Sequence, residues 1–570
     1  MSNNCMQSIT TSVLILMVLA ACSVEKPANP VSTDTVSRQQ TGGHSEQDAA
    51  RTGLHDESLR GKAGIITSDV AEPEIAKAGL DYPAVLPAAA PQDIRLPSEP
   101  LNRENYAHFD DSPLQRVAEA PFSTFSIDVD TAAYSNLRRM LNAGNRPARD
   151  AVRTEELINY FSYDYPRPHD RARPFSITTE VGPTPWNPDT RLLQIGIQGY
   201  DVPVTDLPAA NLVFLVDVSG SMQAANKLEL LKSSLKLLLH RLDADDRISI
   251  VVYAGASGVV LEPTPGDQSA KIIAALDALG AGGSTNGGAG IRLAYSLAQQ
   301  ACIDGGINRV LLATDGDFNV GTVDFEMLKQ LVAERRSSGI GLTTMGFGSG
   351  NYNDHLMEQL AAAGNGNYAY IDSLGEARKA LVDSVSSTLL TIAQDVKIQV
   401  EFNPATVAEY RLIGYENRTL QREDFANDKV DAGEVGAGHS VTAIYEIALQ
   451  GSAGVRLDDS RYQPAADSET VLGDELALVR VRYKKPGGKR SALLEQPVLG
   501  SEMHAGLQQA SERYRFAAAV AAFGQLLRGG RYTGDFDYAD LLALARDARG
   551  SDPFGYRGEF LRLAGLASGL

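Results

Sequence analysis

Leu212-Val213-Phe214-Leu215-Val216-Asp217-Val218-Ser219-Gly220-Ser221 decides the fold of this chain. Five apolar residues with no polar alternate read as a parallel strand buried on both faces. The oxygen-bearing residues that follow leave the strand at its carboxyl end. There the chain turns, alternate side chains of Asp217-x-Ser219-x-Ser221 converge, and Gly220 relieves the crowding. Two more segments extend the pattern. Gly282-Gly283-Ser284-Thr285-Asn286 offers a loop hydroxyl just before a helix, and Arg309-Val310-Leu311-Leu312-Ala313-Thr314-Asp315-Gly316 ends a second apolar strand in a carboxylate. The set Asp217, Ser219, Ser221, Thr285 and Asp315 contains only oxygen donors, which suits Mg²⁺ or Mn²⁺ rather than zinc or copper. A polar strand-to-helix turn with a serine cap explains residues 217–221 alone, but not three separated segments arriving in order.

Working outward, the elements alternate regularly. The strand at 212–216 leads to a helix over 227–242, with leucines at Leu228, Leu231, Leu235, Leu238 and Leu242. A strand at 247–253, an edge segment at 259–261 and a helix over 270–279 follow. Helices over 290–302, 325–337, 354–362 and 374–389 then alternate with strands at 310–314, 342–345 and 368–371. This order predicts an α/β domain over 209–392 with a doubly wound parallel sheet, whose ligands bind outside the carboxyl ends of the strands. The three oxygen-bearing segments all leave the sheet at that end.

On both sides the apolar period changes to two. Phe175, Ile177, Thr179 and Val181 alternate before the α/β region, as do Leu193, Ile195 and Ile197; Val396, Ile398, Val400 and Phe402 alternate after it, as do Ala443, Tyr445, Ile447 and Leu449, and Val479, Val481 and Tyr483. Alternating strands leave one face polar, so the two flanks are expected to form one β-rich, sandwich-like domain into which the α/β domain is inserted. Helices are expected near Leu137, Met140 and Leu141, with Asp130-Thr131 as the cap pair, over 154–161, and within 503–570 with breaks at Gly529-Gly530 and Asp552-Pro553. The resulting division is a signal segment 1–21, a tether 22–100, an accessory region 101–208, the α/β domain 209–392, a β-rich region 393–500 and a helical region 501–570.

The DxSxS motif, the loop Thr285 and the strand-end Thr314-Asp315-Gly316 resemble the metal-ion-dependent adhesion site of a von Willebrand factor type A (VWA) domain. The likeness extends further. Leu101-Asn102-Arg103-Glu104-Asn105-Tyr106, Phe125-Ser126-Ile127-Asp128-Val129-Asp130-Thr131, Arg411-Leu412-Ile413-Gly414-Tyr415-Glu416-Asn417-Arg418 and Lys429-Val430-Asp431-Ala432-Gly433-Glu434 resemble a YfbK-like family of bacterial VWA lipoproteins. The resemblance implies direct metal ligation by Ser219, Ser221 and Thr285, with Asp217 and Asp315 acting mostly through waters. It also implies a cation with an open position for an Asp or Glu carboxylate of a partner protein.

The apolar run 12–21 ends in Leu19-Ala20-Ala21-Cys22, which looks like a bacterial lipobox with Cys22 as the acylated residue, although residues 1–10 carry no Lys or Arg. The run is too short to span a bilayer, so the lipid on Cys22 is the expected anchor, in the cell envelope. Ser23, where an Asp would favour inner-membrane retention, points to the outer of two membranes. Residues 23–100 are rich in Ala, Pro, Ser and acids without a sustained period, and roughly 75 such residues reach on the order of 50 Å as a flexible chain. A net charge of −19 over 570 residues argues against nucleic acid, which needs basic stripes. With Cys5 in the signal segment and Cys22 acylated, Cys302 has no disulfide partner and is expected to be a small core residue.

Competing readings are weaker on their own terms. Gly346-Phe347-Gly348-Ser349-Gly350, with Asp372 beyond, suggests a dinucleotide turn, but Asn351 stands where the third glycine belongs. An EF-hand loop beginning at Asp315 has Val320 at its glycine position. Asp128 and Asp130 suggest a second metal, but a strand entering a helix cap explains them equally. A Mg²⁺-dependent hydrolase is the alternative to binding, and it needs a base or second metal near the bound water. The α/β region offers only His240 and His355, outside the oxygen-bearing segments. The expectation is a lipid-anchored, non-enzymatic protein-binding module.

Overall fold

Why the strand Ala210–Asp217 is apolar at every central position is plain from its two sides. Leu212, Phe214 and Val216 enter one core with the helix Leu230–Leu239, while Val213 and Leu215 enter another with the helices Gly287–Gln300 and Phe325–Ser337. A computed structural model describes residues 104–283, 287–316, 325–458 and 473–570.

Ala210–Asp217 is central in a six-stranded sheet, between Ile307–Thr314 and Arg247–Tyr253, both parallel to it. Gly341–Phe347 and Tyr368–Ile371 continue the parallel set on one side, and Ser257–Pro265 closes the other edge antiparallel to Arg247–Tyr253. The sheet is therefore mixed at that edge, and the expected edge segment is a full strand. Close packing also shapes the helix Gly287–Gln300. A Cβ on its Gly290 would lie 2.8 Å from Tyr253 Cβ, so glycine lets the helix start lie against the sheet. Two expected helices are interrupted by wider, π-type turns. Ala225–Glu229 precedes Leu230–Leu239, and Lys379–Asp383 follows the short helix Leu374–Arg378.

The flanks form a sandwich. The strand Asn187–Gly199, before the insertion, pairs antiparallel with Ser440–Leu449, after it, with Ile197 opposite Val441 and Ile195 opposite Ala443. Phe175–Thr184 and Val407–Ile413 extend this sheet. The facing sheet is built on Thr391–Phe402, which pairs with Phe122–Ser126, Gly433–Gly436 and Glu475–Lys484, the last bordered by Ser491–Leu499. Leu193, Ile195, Ala443 and Tyr445 meet Ile398, Val400, Val479 and Val481 between the sheets. On the outer face of the first sheet, the helices Ala132–Asn142, Thr154–Asn159, Glu512–Leu527, Tyr538–Asp547 and Tyr556–Ala567 share one core with Leu192, Ile413 and Ile444. The N- and C-terminal helical segments are thus one layer.

Two local expectations change. Cys302 is exposed rather than in the core, because it follows the helix Gly287–Gln300, whose buried side is carried by Ile291, Ala294 and Ala298. Thr131 occupies the N-cap of Ala132–Asn142 without a side-chain capping bond; Asp130 Oδ1 instead accepts from Tyr368 N at 2.8 Å. Asp128 and Asp130 face Arg418, at 3.0 and 3.4 Å, so their pairing is ionic.

Candidate metal centre

The strand ends bring the carboxylates together. In register, Asp217 stands beside Tyr253, and Val216 beside Ala313, so Thr314 and Asp315 emerge next to Asp217. Both neighbouring strands hold the Asp217 carboxylate: Thr314 Oγ1 donates to Oδ2 at 2.8 Å and Tyr253 OH donates to the same oxygen at 3.2 Å. Oδ1 accepts from Ser219 N at 2.9 Å, which turns the chain just beyond the strand. Burial pushes the Asp217 carboxyl pKa up, the hydrogen bonds from Ser219 and Thr314 oppose this, and nearby Asp315 adds to the rise.

The hydroxyls converge as the motif spacing predicts, with Ser219 Oγ and Ser221 Oγ 2.9 Å apart. Asp217, Ser219 and Asp315 are buried, and Ser221 is half-buried, so the group opens to solvent on its serine side. Gly220 N donates to Gly283 O at 3.0 Å and Gly282 N to Val218 O at 2.8 Å. These bonds tie the segment that leads to Thr285 onto the DxSxS turn. Thr285 itself lies outside the described residues, as do Val320 of the calcium-loop reading and Cys22.

The residues present fit a hard divalent cation: two carboxylates and two hydroxyls, all oxygen, sit at adjoining strand ends. Among the described residues no group of three or more His, Cys, Asp or Glu side chains is arranged to hold a metal, so a cation held here would need the serine hydroxyls as well as the two carboxylates.

The sequence pattern did not identify Lys227 as part of this group. It lies in the π-type turn Ala225–Glu229 and donates from Nζ to Asp315 Oδ2 at 2.7 Å and to Asn351 Oδ1 at 3.4 Å. Its stem crosses Gly348, where φ is +78° and a Cβ would come within 2.3 Å of Lys227 Cε. The glycine-rich turn of the dinucleotide reading thus makes room for a lysine, and Asp372 pairs with Arg138. The same turn is fastened to the first described residues: Gly350 N donates to Glu104 Oε1 at 3.0 Å, and Asn105 N to Tyr352 O at 2.9 Å.

Comparison with known proteins matches this architecture in three segments. A model of the von Willebrand factor type A domain matches residues 212–317, one described as von Willebrand factor matches 100–194, and one described as the C-terminal part of the uncharacterized protein YfbK matches 387–570. YfbK of Escherichia coli (strain K12) is 48% identical over 474 residues, covering 82% of this chain and 81% of that protein. The chain belongs to the YfbK-like family of VWA proteins. Within this family assignment, the VWA match spans Asp217, Ser219, Ser221 and Asp315. A more distant likeness is to human inter-alpha-trypsin inhibitor heavy chain H3, 24% identical over 263 residues, 42% of this chain and 28% of that one. Among solved structures, a von Willebrand factor type A protein from Catenulispora acidiphila aligns with a TM-score of 0.38 at 14% identity, over 68% of this chain and 89% of that one.

Proposed function

We propose that this YfbK-like chain is a lipid-anchored, non-enzymatic protein-binding module that captures an Asp or Glu carboxylate of a partner protein at a Mg²⁺- or Mn²⁺-dependent adhesion site. The observation that carries the reading is the 2.9 Å approach of Ser219 and Ser221 Oγ beside two buried carboxylates at neighbouring strand ends. Ser219, Ser221 and Thr285 are the proposed direct ligands, with Asp217 and Asp315 supplying charge. The bound cation would supply an open coordination position for the incoming carboxylate. The chain's own part is orientation: Thr314 and Tyr253 fix Asp217, Asp217 fixes the backbone of Ser219, and Gly220 and Gly283 hold the two loops together.

Binding is favoured over hydrolysis by where the histidines lie. His240 closes the helix Leu230–Leu239, and His355 Nε2 pairs with Gln359 at 2.9 Å, so neither is committed to the hydroxyl pair as a base. Among the described residues no helix is long and apolar enough to cross a membrane, and attachment through a lipid on Cys22 at the cell envelope is part of the proposal.

The test is affinity capture from membrane extract with the intact chain. Wild type is expected to retain a partner in Mg²⁺ and release it with chelator, and Asp217→Ala to retain none. Capture indifferent to both chelator and Asp217→Ala would sink the reading. Acylation is tested separately: Cys22→Ser should release the chain from the membrane fraction or leave the signal segment uncleaved, and unchanged mass and detergent partitioning would remove the lipid anchor.

A further inference from the structure

The proposed adhesion site contains a cation that the chain itself supplies. Lys227 precedes Asp315 by 88 residues, is 7% exposed, and holds its ammonium 2.7 Å from the carboxylate. Its stem is packed over Gly348, and Asn351 Oδ1 accepts a second bond at 3.4 Å, so the charge is held at the site rather than in solvent.

Formal charge then decides the consequence. Among the described residues of the group, Asp217 and Asp315 bring two negative charges, Ser219 and Ser221 bring none, and Lys227 brings one positive charge. A divalent cation added to the two carboxylates alone would leave a neutral group. With Lys227 in place, the loaded group keeps a net positive charge. In a buried, weakly screened site that surplus has two opposite effects. It repels the divalent cation and weakens its binding; it attracts an arriving carboxylate and strengthens that step.

We infer that Lys227 sets the charge of the adhesion site, lowering its affinity for the divalent cation and raising the affinity of the cation-loaded site for a carboxylate. The inference rests on the metal-dependent reading above. Such a site discriminates between anionic and neutral ligand groups more sharply than a neutralised one. It also couples the two binding steps, because a carboxylate that compensates the surplus charge stabilises the cation beneath it.

A lysine that served only to satisfy Asp315 within the fold would behave differently. Its removal would leave a buried carboxylate uncompensated and reduce stability, without moving cation and carboxylate affinities in opposite directions.

The experiment titrates Mn²⁺ into the full chain, counting free Mn²⁺ by electron paramagnetic resonance, for wild type, Lys227→Met, Lys227→Arg and Asp217→Ala. Acetate is then titrated into each Mn²⁺-loaded protein, with water-proton relaxivity reporting loss of metal-bound water. Lys227→Met should bind Mn²⁺ about tenfold or more tighter, and should need about tenfold or more acetate for the same loss of relaxivity. Lys227→Arg should stay near wild type in both. If Lys227→Met does not fold, Lys227→Gln, which keeps a donor for Asp315 without the charge, takes its place with the same expectation. Mn²⁺ affinity that is unchanged or weaker in the neutral variant, or an unmoved acetate response, overturns the inference. In that case, wild-type binding that is lost in Asp217→Ala leaves the adhesion-site reading standing. Wild type that binds no Mn²⁺ removes both.

Discussion

Arg153 donates from Nη2 to Asp354 Oδ1 at 3.1 Å, and both side chains are buried where the accessory region meets the helix Asp354–Ala363 of the VWA domain. The same guanidinium also pairs with Glu156. Two further arginines make comparable bridges: Arg138 to Asp372, Glu376 and Glu559, and Arg418 to Asp128, Asp130 and Glu358. The inserted domain is therefore held by buried ionic contacts on the elements of its flanks as well as by the two chain crossings.

Removing one partner of such a pair strands the others. Arg153→Met should destabilise the protein by about 3–5 kcal/mol, because Asp354 and Glu156 are left buried without their counter-charge. Denaturant unfolding measures this. The double variant Arg153→Met with Asp354→Leu should recover part of the loss, which an effect confined to Arg153 packing would not allow.

A second expectation concerns acid. Burial lowers the His439 pKa to about 4, and its Nδ1 accepts from Gly436 N at 3.0 Å, a bond that protonation at that nitrogen would break. The folded pKa lies below the unfolded one, so the unfolded chain takes up the proton first. This contribution is fully present above about pH 6.5 and is lost as pH falls toward about 4, amounting to up to about 3 kcal/mol. His439→Asn, which keeps an acceptor but does not titrate, should lose less stability over that window in urea titrations at stepped pH. Equal pH slopes for the two proteins would contradict the assignment.

Cys302 gives a third. As an exposed thiol beyond a helix end, it should react with a thiol reagent in the folded protein without prior unfolding. Cys302→Ser should change stability by no more than about 0.5 kcal/mol. Protection of the thiol until unfolding would contradict its position.

The fold was legible in the sequence wherever burial is two-sided or strictly alternating. The run from Leu212 to Val216 has apolar residues on both faces, because each face meets its own core. Ile195 and Ile197 alternate because the strand lies between the sandwich interior and the helical layer. The strand Ser491–Leu499 carries no comparable stripe: it is an edge strand, mostly half-buried or exposed, and has little apolar pattern to read. At the candidate site, local spacing was enough to converge Ser219 and Ser221. Lys227 was hidden because its pairing with Asp315 spans 88 residues and looks, in sequence, like the polar start of an amphipathic helix. Only the register of the strands and the turn at Gly348 bring the two together.

The most direct test of a cation-dependent site is thermal unfolding of wild type and Asp217→Asn with and without millimolar Mg²⁺ or Mn²⁺. Burial raises the folded pKa of Asp217, so its stabilising contribution is present below the unfolded carboxyl pKa and is lost as pH rises through the folded value. At neutral pH without metal, Asp217→Asn escapes that charge penalty but gives up one of the two oxygens that accept from Ser219, Thr314 and Tyr253, so the two effects oppose and its Tm without metal should stay close to wild type. Added metal should raise the wild-type Tm by mass action, by about 2.7 kcal/mol of stability at a hundredfold excess over Kd, and chelator should reverse it. The Asp217→Asn Tm should not move. A wild-type Tm indifferent to both metals, or a variant that responds as strongly as wild type, would contradict the account.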